Sequence, residues 1–175
     1  MKSIDILIPM SPERFIPQLV LDHILIQNIP FRLFFSNMIG DGAANARNFV
    51  KEMWQNSQNK SDYTLMTDND ILLPRGSLQA MIDFLEDNPE FGAIALHRNQ
   101  VPSEVLEDSH INAGPVLFVT SIFDQITYHN NDGCECQGMS NDVRKLDKKI
   151  AYLPNVQYEH IERTKRSDYE QSEEE

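Results

Sequence analysis

Apolar positions along the chain change period several times, and each change marks an element. Ile4 to Ile8 is a short apolar run broken only by Asp5 and stopped by Pro9, which reads as a first core strand. Ser11-Pro12 then offers an N-cap followed by a proline in a first helical turn, and Leu19, Val20, His23, Ile24 and Ile26 continue a helix that Asn28 and Pro30 stop. Phe31 to Phe35 makes a second strand, completing one β-α-β unit. Asp41-Gly42 opens a second helix, in which Ala46, Phe49, Val50, Met53 and Trp54 have the spacing of one buried stripe. Tyr63 to Thr67 is a third strand, and Leu78, Met81, Ile82 and Leu85 fall at i, i+3, i+4 and i+7 of a third helix. Asp68 to Arg75 is therefore a loop between strand and helix.

The second half is less regular. Gly92 to Leu96 is a fourth strand, Asn99 to Asn112 a polar loop or excursion, and Val116 to Thr120 a return to strand. A Gly- and Asn-rich loop from Asn130 to Gly138 precedes a short helix from about Ser140 to Leu146, then strands around Ile150 to Leu153 and Val156 to His160. Early alternation of strands and helices predicts an α/β fold with a mostly parallel sheet covered on both faces, to which the later strands add a mixed part. Ligands of such sheets sit beyond the carboxyl ends of strands, where the Asp68 loop begins.

Composition narrows the function. With 175 residues, the chain fits one domain that buries about two-thirds of its unfolded surface. No apolar run approaches the roughly 18 residues of a membrane span, and the N-terminus lacks the pattern of a signal peptide, so a soluble, cytoplasmic protein is expected. A formal net charge of −12 opposes a broad electrostatic grip on nucleic acid. Residues 1–162 form the expected domain, and 163–175 a basic then acidic flexible tail, with Arg163, Lys165 and Arg166 as its basic cluster. Cys134 and Cys136 stand too close in sequence for an ordinary disulfide and fall short of a four-ligand zinc set, which points to a reducing compartment.

Asp68-Asn69-Asp70 is the candidate chemistry. Two carboxylates leaving a strand together present hard oxygen ligands suited to Mn²⁺ or Mg²⁺, whereas the same residues alone also read as an ordinary turn. An EF-hand requires glycine at the sixth loop position and glutamate at the twelfth, where Leu73 and Gln79 stand. A haloacid-dehalogenase phosphatase typically carries this motif on its first core strand, followed by a small hydroxyl or apolar residue. Here the motif is mid-chain and Leu72 follows.

The segment Ser61 to Asp70, followed by Leu73-Pro74-Arg75-Gly76-Ser77-Leu78, resembles the nucleotide-sugar segment of the GT-A glycosyltransferases, particularly the family-two type. Upstream, Gly42 to Asn48 resembles that family's small-residue helix with Ala-Arg-Asn. Downstream, Lys149 to Val156 leading to His160 resembles its closing strand pair and histidine, so the resemblance runs in order over most of residues 3–162. It implies a GT-A three-layer sandwich in which Asp70 ligates the metal, Asp68 contacts the nucleotide ribose or the metal, and His160 is a further ligand. Gly133 to Ser140 resembles the acceptor segment and places Glu135 as general base. Asp132 and Asp142 are nearby substitutes, because Cys136 and Gly138 stand where acids are common.

The donor side rests on Pro9, Met10 and Ser11 at the end of the first strand, Asn37 or Asp41 toward the base, Asn69 within the motif, and Arg47 and Arg163 toward the diphosphate. The expected reaction is transfer of a hexose or N-acetylhexosamine from a nucleoside diphosphate, with UDP the expected nucleotide, to the hydroxyl of an unidentified acceptor. Acceptor recognition is compatible with a partner protein or a second copy. The competing readings are a nucleotide-sugar binding module without turnover and a nucleotidyltransferase of related fold. The latter is disfavoured by the lack of a glycine-rich, Lys/Arg-bearing loop after the first strand.

Overall fold

Strand β1 (Ile4–Ile8) is buried at every position, so it must be covered on both faces. The computed structural model, which describes residues 2–10, 15–36, 42–98, 103–108, 110–112, 114–129 and 134–161, shows how. In chain order the elements are β1, α1 (Gln18–Leu25), β2 (Phe31–Phe35), α2 (Ala43–Gln55), β3 (Tyr63–Met66), β4 (Ile71–Leu72), α3 (Ser77–Asp87) and β5 (Phe91–His97). They continue with β6 (Leu106–Glu107), β7 (Val116–Val119), α4 (Thr120–Phe123), α5 (Glu135–Lys145), β8 (Lys149–Gln157) and β9 (Glu159–His160). A seven-stranded sheet has the order β2-β1-β3-β7-β5-β8-β6, and β4 and β9 form a separate two-stranded ribbon. Strands β1, β2, β3, β5 and β8 run one way and β6 and β7 the other, which is the mostly parallel mixed sheet that the pattern predicts.

Alternation along β1 sends Ile4, Ile6 and Ile8 to one face and Leu7 to the other. The first set packs with Val20 and Ile24 of α1 and with Leu78, Met81, Ile82 and Leu85 of α3. Leu7 packs with Val50 and Trp54 of α2, Phe123 of α4, and Met139 and Val143 of α5. The result is three layers, helices on both sides of the sheet.

Several boundaries differ from the expectations. Phe15 to Pro17 are not helical and α1 starts at Gln18, so any cap at Ser11-Pro12 is separate from it; both of those residues lie outside the described ones. Ile26 is 44% exposed, and His23 serves as a polar anchor whose Nδ1–H donates to the Leu73 carbonyl at 2.9 Å. On α2 the buried stripe is Ala44, Arg47, Val50, Lys51 and Trp54, whereas Phe49 and Met53 are exposed. The helix is rotated because Arg47 and Lys51 find partners inside: Lys51 Nζ donates to the carbonyls of Asp124 and Ile126.

Helix α5 begins at Glu135, a turn and a half earlier than the Gly- and Asn-rich composition predicts. Two strands follow it as expected, β8 and β9, but the break falls later, at Tyr158, and β8 bulges so that Ala95 pairs with Tyr152 but His97 with Gln157. Asn155 absorbs the irregularity at φ 59°, a left-handed conformation that asparagine tolerates. Cys134 and Cys136 are disulfide-bonded, contrary to the spacing argument. Extended backbone at Cys134 followed by the first turn of α5 sets their Cα atoms 5.3 Å apart, inside the roughly 4.4–6.8 Å that a disulfide spans. The pair therefore gives no support to a reducing compartment. Among the described residues, no helix is long and apolar enough to cross a membrane.

Candidate active site

The Asp68 loop leaves β3 at its carboxyl end and is held from three sides. Thr67 N–H donates to the Leu7 carbonyl at 3.1 Å, continuing the β1 to β3 ladder by one residue. Asn69 is buried, and its Nδ2 donates to the Phe15 carbonyl at 2.9 Å, so its side chain anchors the loop to the segment before α1. Beyond it the β4–β9 ribbon pairs Ile71 with His160, and Ile161 N–H donates to the Asp70 carbonyl at 2.8 Å. That pairing brings the His160 Nε2 to 3.3 Å from Asp70 Oδ1.

Arg47 reaches the same loop from α2. Its Nη2 lies 2.7 Å from Asp68 Oδ1 and its Nη1 3.3 Å from Glu135 Oε1, so one buried guanidinium joins the motif to the first turn of α5. Asn48, its neighbour on α2, fastens the segment before α5 through two bonds to the Tyr128 backbone, Nδ2 to the carbonyl at 2.7 Å and Oδ1 from the N–H at 3.0 Å. The Tyr128 ring lies under the Arg47 guanidinium at 5.9 Å.

The Asp68 side chain is 36% exposed. Burial pushes its pKa above the ordinary carboxylate value; Asp70 and Glu135 add to that rise, while Arg47 and His160 oppose it. Gly114 lies beside the carboxyl, where a Cβ would stand in ordinary contact, 3.5 Å from Asp68 Oδ2. Among the described residues, the buried side-chain polar atoms without a protein partner are Arg47 Nε, Thr67 Oγ1 and Tyr128 OH. Thr67 directly precedes Asp68, and Arg47 and Tyr128 pack together beside it.

The donor set fits a hard divalent cation in part. Two cis ligands of an octahedral ion with bonds of about 2.1 Å stand roughly 3 Å apart, and Asp70 Oδ1 and His160 Nε2 are 3.3 Å apart. Asp68 is instead engaged by Arg47, and Asp68, Asp70 and His160 do not form a tight three-ligand cluster. The cluster of that kind among the described residues is His110, Cys134 and Cys136, which the sequence pattern did not single out as a unit.

Of the other expected site residues, Pro9 closes β1 and is buried. Ser11, Asn37, Asp41, Asp132 and the tail with Arg163, Lys165 and Arg166 lie outside the described residues. Asp142, the alternative to Glu135, is committed elsewhere: it accepts from Thr127 N–H at 3.1 Å and pairs with His129 at 3.0 Å and Lys145 at 2.8 Å. Partial burial raises its pKa, but these partners outweigh that and hold it below the ordinary value. Tyr128 and Asn48 were not assigned roles by sequence reasoning. Their link spans 80 residues, and the Ala-Arg-Asn run was its only local signal.

No protein-family model matches the chain, and no curated protein matches it in sequence. Solved structures do match in shape. Mannosyltransferase PcManGT from Pyrobaculum calidifontis, in complex with GDP-Man and Mn²⁺, is 14% identical and superposes with a TM-score of 0.69 over 90% of this chain and 56% of its own. S. aureus TarS, residues 1–349, is 14% identical with a TM-score of 0.67, over 92% of this chain and 60% of that one. A197 from STIV is 10% identical with a TM-score of 0.66, over 93% of this chain and 86% of that one. The fold is that of the GT-A glycosyltransferases. The chain spans a little over half the length of the first two of these neighbours.

Proposed function

We propose that this chain is a metal-dependent glycosyltransferase that moves a sugar from a nucleoside diphosphate, with UDP the expected nucleotide, to an acceptor hydroxyl. The observation that carries the reading is the Arg47 bridge. It places Asp68, at the carboxyl edge where α/β sheets bind ligands, and Glu135, the only acid of its segment left for proton transfer among the described residues, in one site.

The distances support a division of roles. Asp70 and His160 are the pair whose spacing suits Mn²⁺ or Mg²⁺, and the chemistry such an ion supplies is neutralisation of the departing diphosphate. Asp68, with Pro9 and the loop held by Asn69, faces the nucleotide. Arg47 holds the Asp68 and Glu135 carboxylates in place, and its positive charge beside them favours the diphosphate. Glu135, held by Arg47, accepts the proton of the acceptor hydroxyl as that oxygen attacks the anomeric carbon. Ser11, Asn37 and Arg163 are proposed to complete the nucleotide contacts.

Calorimetry with UDP and GDP, with and without Mn²⁺, followed by a donor-hydrolysis assay, tests this. The expected result is metal-dependent nucleotide binding that Asp70→Ala abolishes and Glu135→Ala retains, with hydrolysis lost in both. Unchanged binding in Asp70→Ala would sink the reading.

A further inference from the structure

Among the described residues outside the carboxylate site, His110, Cys134 and Cys136 form a set of ligating atoms that all lie within 4.8 Å of one another. We propose that, once its disulfide is reduced, the cysteine pair and His110 form a second metal site, one for a soft or borderline cation of the Zn²⁺ class. This inference stands apart from the glycosyltransferase reading and uses none of its residues as ligands.

The first support is the aim of the histidine. His110 Nε2 lies 2.9 Å from Cys134 Sγ and 2.9 Å from Cys136 Sγ. Sulfur is a weak hydrogen-bond acceptor, so a ring nitrogen set equally on two sulfurs gains little as a hydrogen bond. A three-ligand N,S,S set with one position left open is, by contrast, a regular zinc arrangement.

The second is how firmly the backbone that carries the histidine is held. His110 N–H donates to Asp108 Oδ1 at 3.2 Å, Ile111 N–H to Ser140 Oγ at 3.3 Å, and Asn112 N–H to Tyr152 OH at 2.8 Å. Ser140 sits one turn beyond Cys136 on α5, so the segment with the nitrogen and the helix with the sulfurs are fastened to each other. These bonds fix the segment that carries the nitrogen relative to the helix that carries the sulfurs.

The third is the position of the sulfurs at the start of an eleven-residue helix, with Cys134 at the N-cap of α5 and Cys136 in its first turn. Tetrahedral zinc separates two thiolates by roughly 3.8 Å, which rotation of either side chain about Cα–Cβ reaches from Cα atoms 5.3 Å apart.

The chemistry balances in two steps. A dithiol reductant delivers two electrons, the S–S bond breaks, each sulfur takes up a proton, and the reductant leaves as its own disulfide. Metal binding then releases both thiol protons to solvent, so the disulfide and the metal are mutually exclusive occupants.

The test uses the full chain reduced by a water-soluble phosphine, which takes oxygen from water and leaves no competing thiol. Co²⁺ is the probe, because coordination by cysteine produces a thiolate-to-metal charge-transfer absorption that carboxylate ligands do not. The reduced chain is expected to take up one Co²⁺ with that absorption and to lose it to Zn²⁺, while the oxidised chain shows none. His110→Ala should weaken binding by at least roughly tenfold, the smallest effect expected when even an outer partner of a ligand is lost. A reduced chain that keeps its native circular dichroism yet shows no charge-transfer band would overturn the proposal, as would His110→Ala binding Co²⁺ as tightly as the parent.

Discussion

Arg47 Nη2 stands 2.7 Å from Asp68 Oδ1, with the arginine side chain buried and the carboxylate partly open. An unpaired guanidinium in that position would be costly, and so would the cluster of Asp68, Asp70 and Glu135 without it. The pair is thus at once a structural tie between α2 and the β3 loop and the charge balance of the candidate active site.

Arg47→Ala should therefore destabilise the fold by about 1–3 kcal/mol, less than for a fully buried pair because both carboxylates keep some contact with water. Arg47→Lys keeps the charge but cannot hold Asp68 and Glu135 together from one planar group. It is expected to restore most of the stability measured by urea denaturation while leaving nucleotide affinity reduced.

His160→Ala removes one member of the pair that suits the cation without emptying the core, since its side chain is 30% exposed. The expected outcome is a loss of at least roughly tenfold in Mn²⁺-dependent nucleotide affinity by calorimetry, with an unfolding midpoint close to that of the parent.

Asp5 is fully buried in β1 and accepts from Arg32, Trp54 Nε1 at 2.8 Å, and both the backbone N–H and hydroxyl of Ser61. Burial works to raise its pKa, yet these hydrogen bonds together hold it below the ordinary value. A depressed native pKa stabilises the fold fully above the unfolded value near pH 4, and that contribution disappears as pH falls through the native pKa. Asp5→Asn should cost about 2–4 kcal/mol at neutral pH and flatten the acid limb of urea stability measured against pH. An unchanged acid limb would assign the dependence to other groups.

Gly92 supplies a control remote from the chemistry. A Cβ there would meet Lys148 Cβ at 2.9 Å, Val143 Cγ1 at 3.1 Å and Ile122 Cγ2 at 3.2 Å. Gly92→Ala is expected to lower stability by about 1–3 kcal/mol through overpacking, while nucleotide binding at temperatures where the protein stays folded remains as in the parent.

Much of the frame can be read locally. Leu78, Met81, Ile82 and Leu85 form a buried stripe on α3 as their spacing predicts, because a helical period needs only its own few turns to be recognised. The same rule misjudged α2, where Phe49 and Met53 fit an apolar stripe but Arg47 and Lys51 take the inner face. Their partners lie in distant segments, and a local window cannot count an acceptor it does not contain. The α5 boundary and the cysteine pair were misread for a related reason: composition signals a loop, whereas the first-turn geometry decides both the helix start and the sulfur contact.

The order of strands and helices, the apolar faces of most elements, and a pair of aspartates at the carboxyl end of β3 all follow from residue order, since each depends on neighbours a few positions apart. Folding in three dimensions supplied the partners. The β4–β9 register sets His160 beside Asp70, the rotation of α2 sets Arg47 between Asp68 and Glu135, and the bonds from Asp108, Ser140 and Tyr152 hold the segment that places His110 over two sulfurs. These meetings join residues far apart in the chain, and they are chosen by sheet pairing and the satisfaction of buried charge over the whole molecule, which no single stretch of sequence encodes.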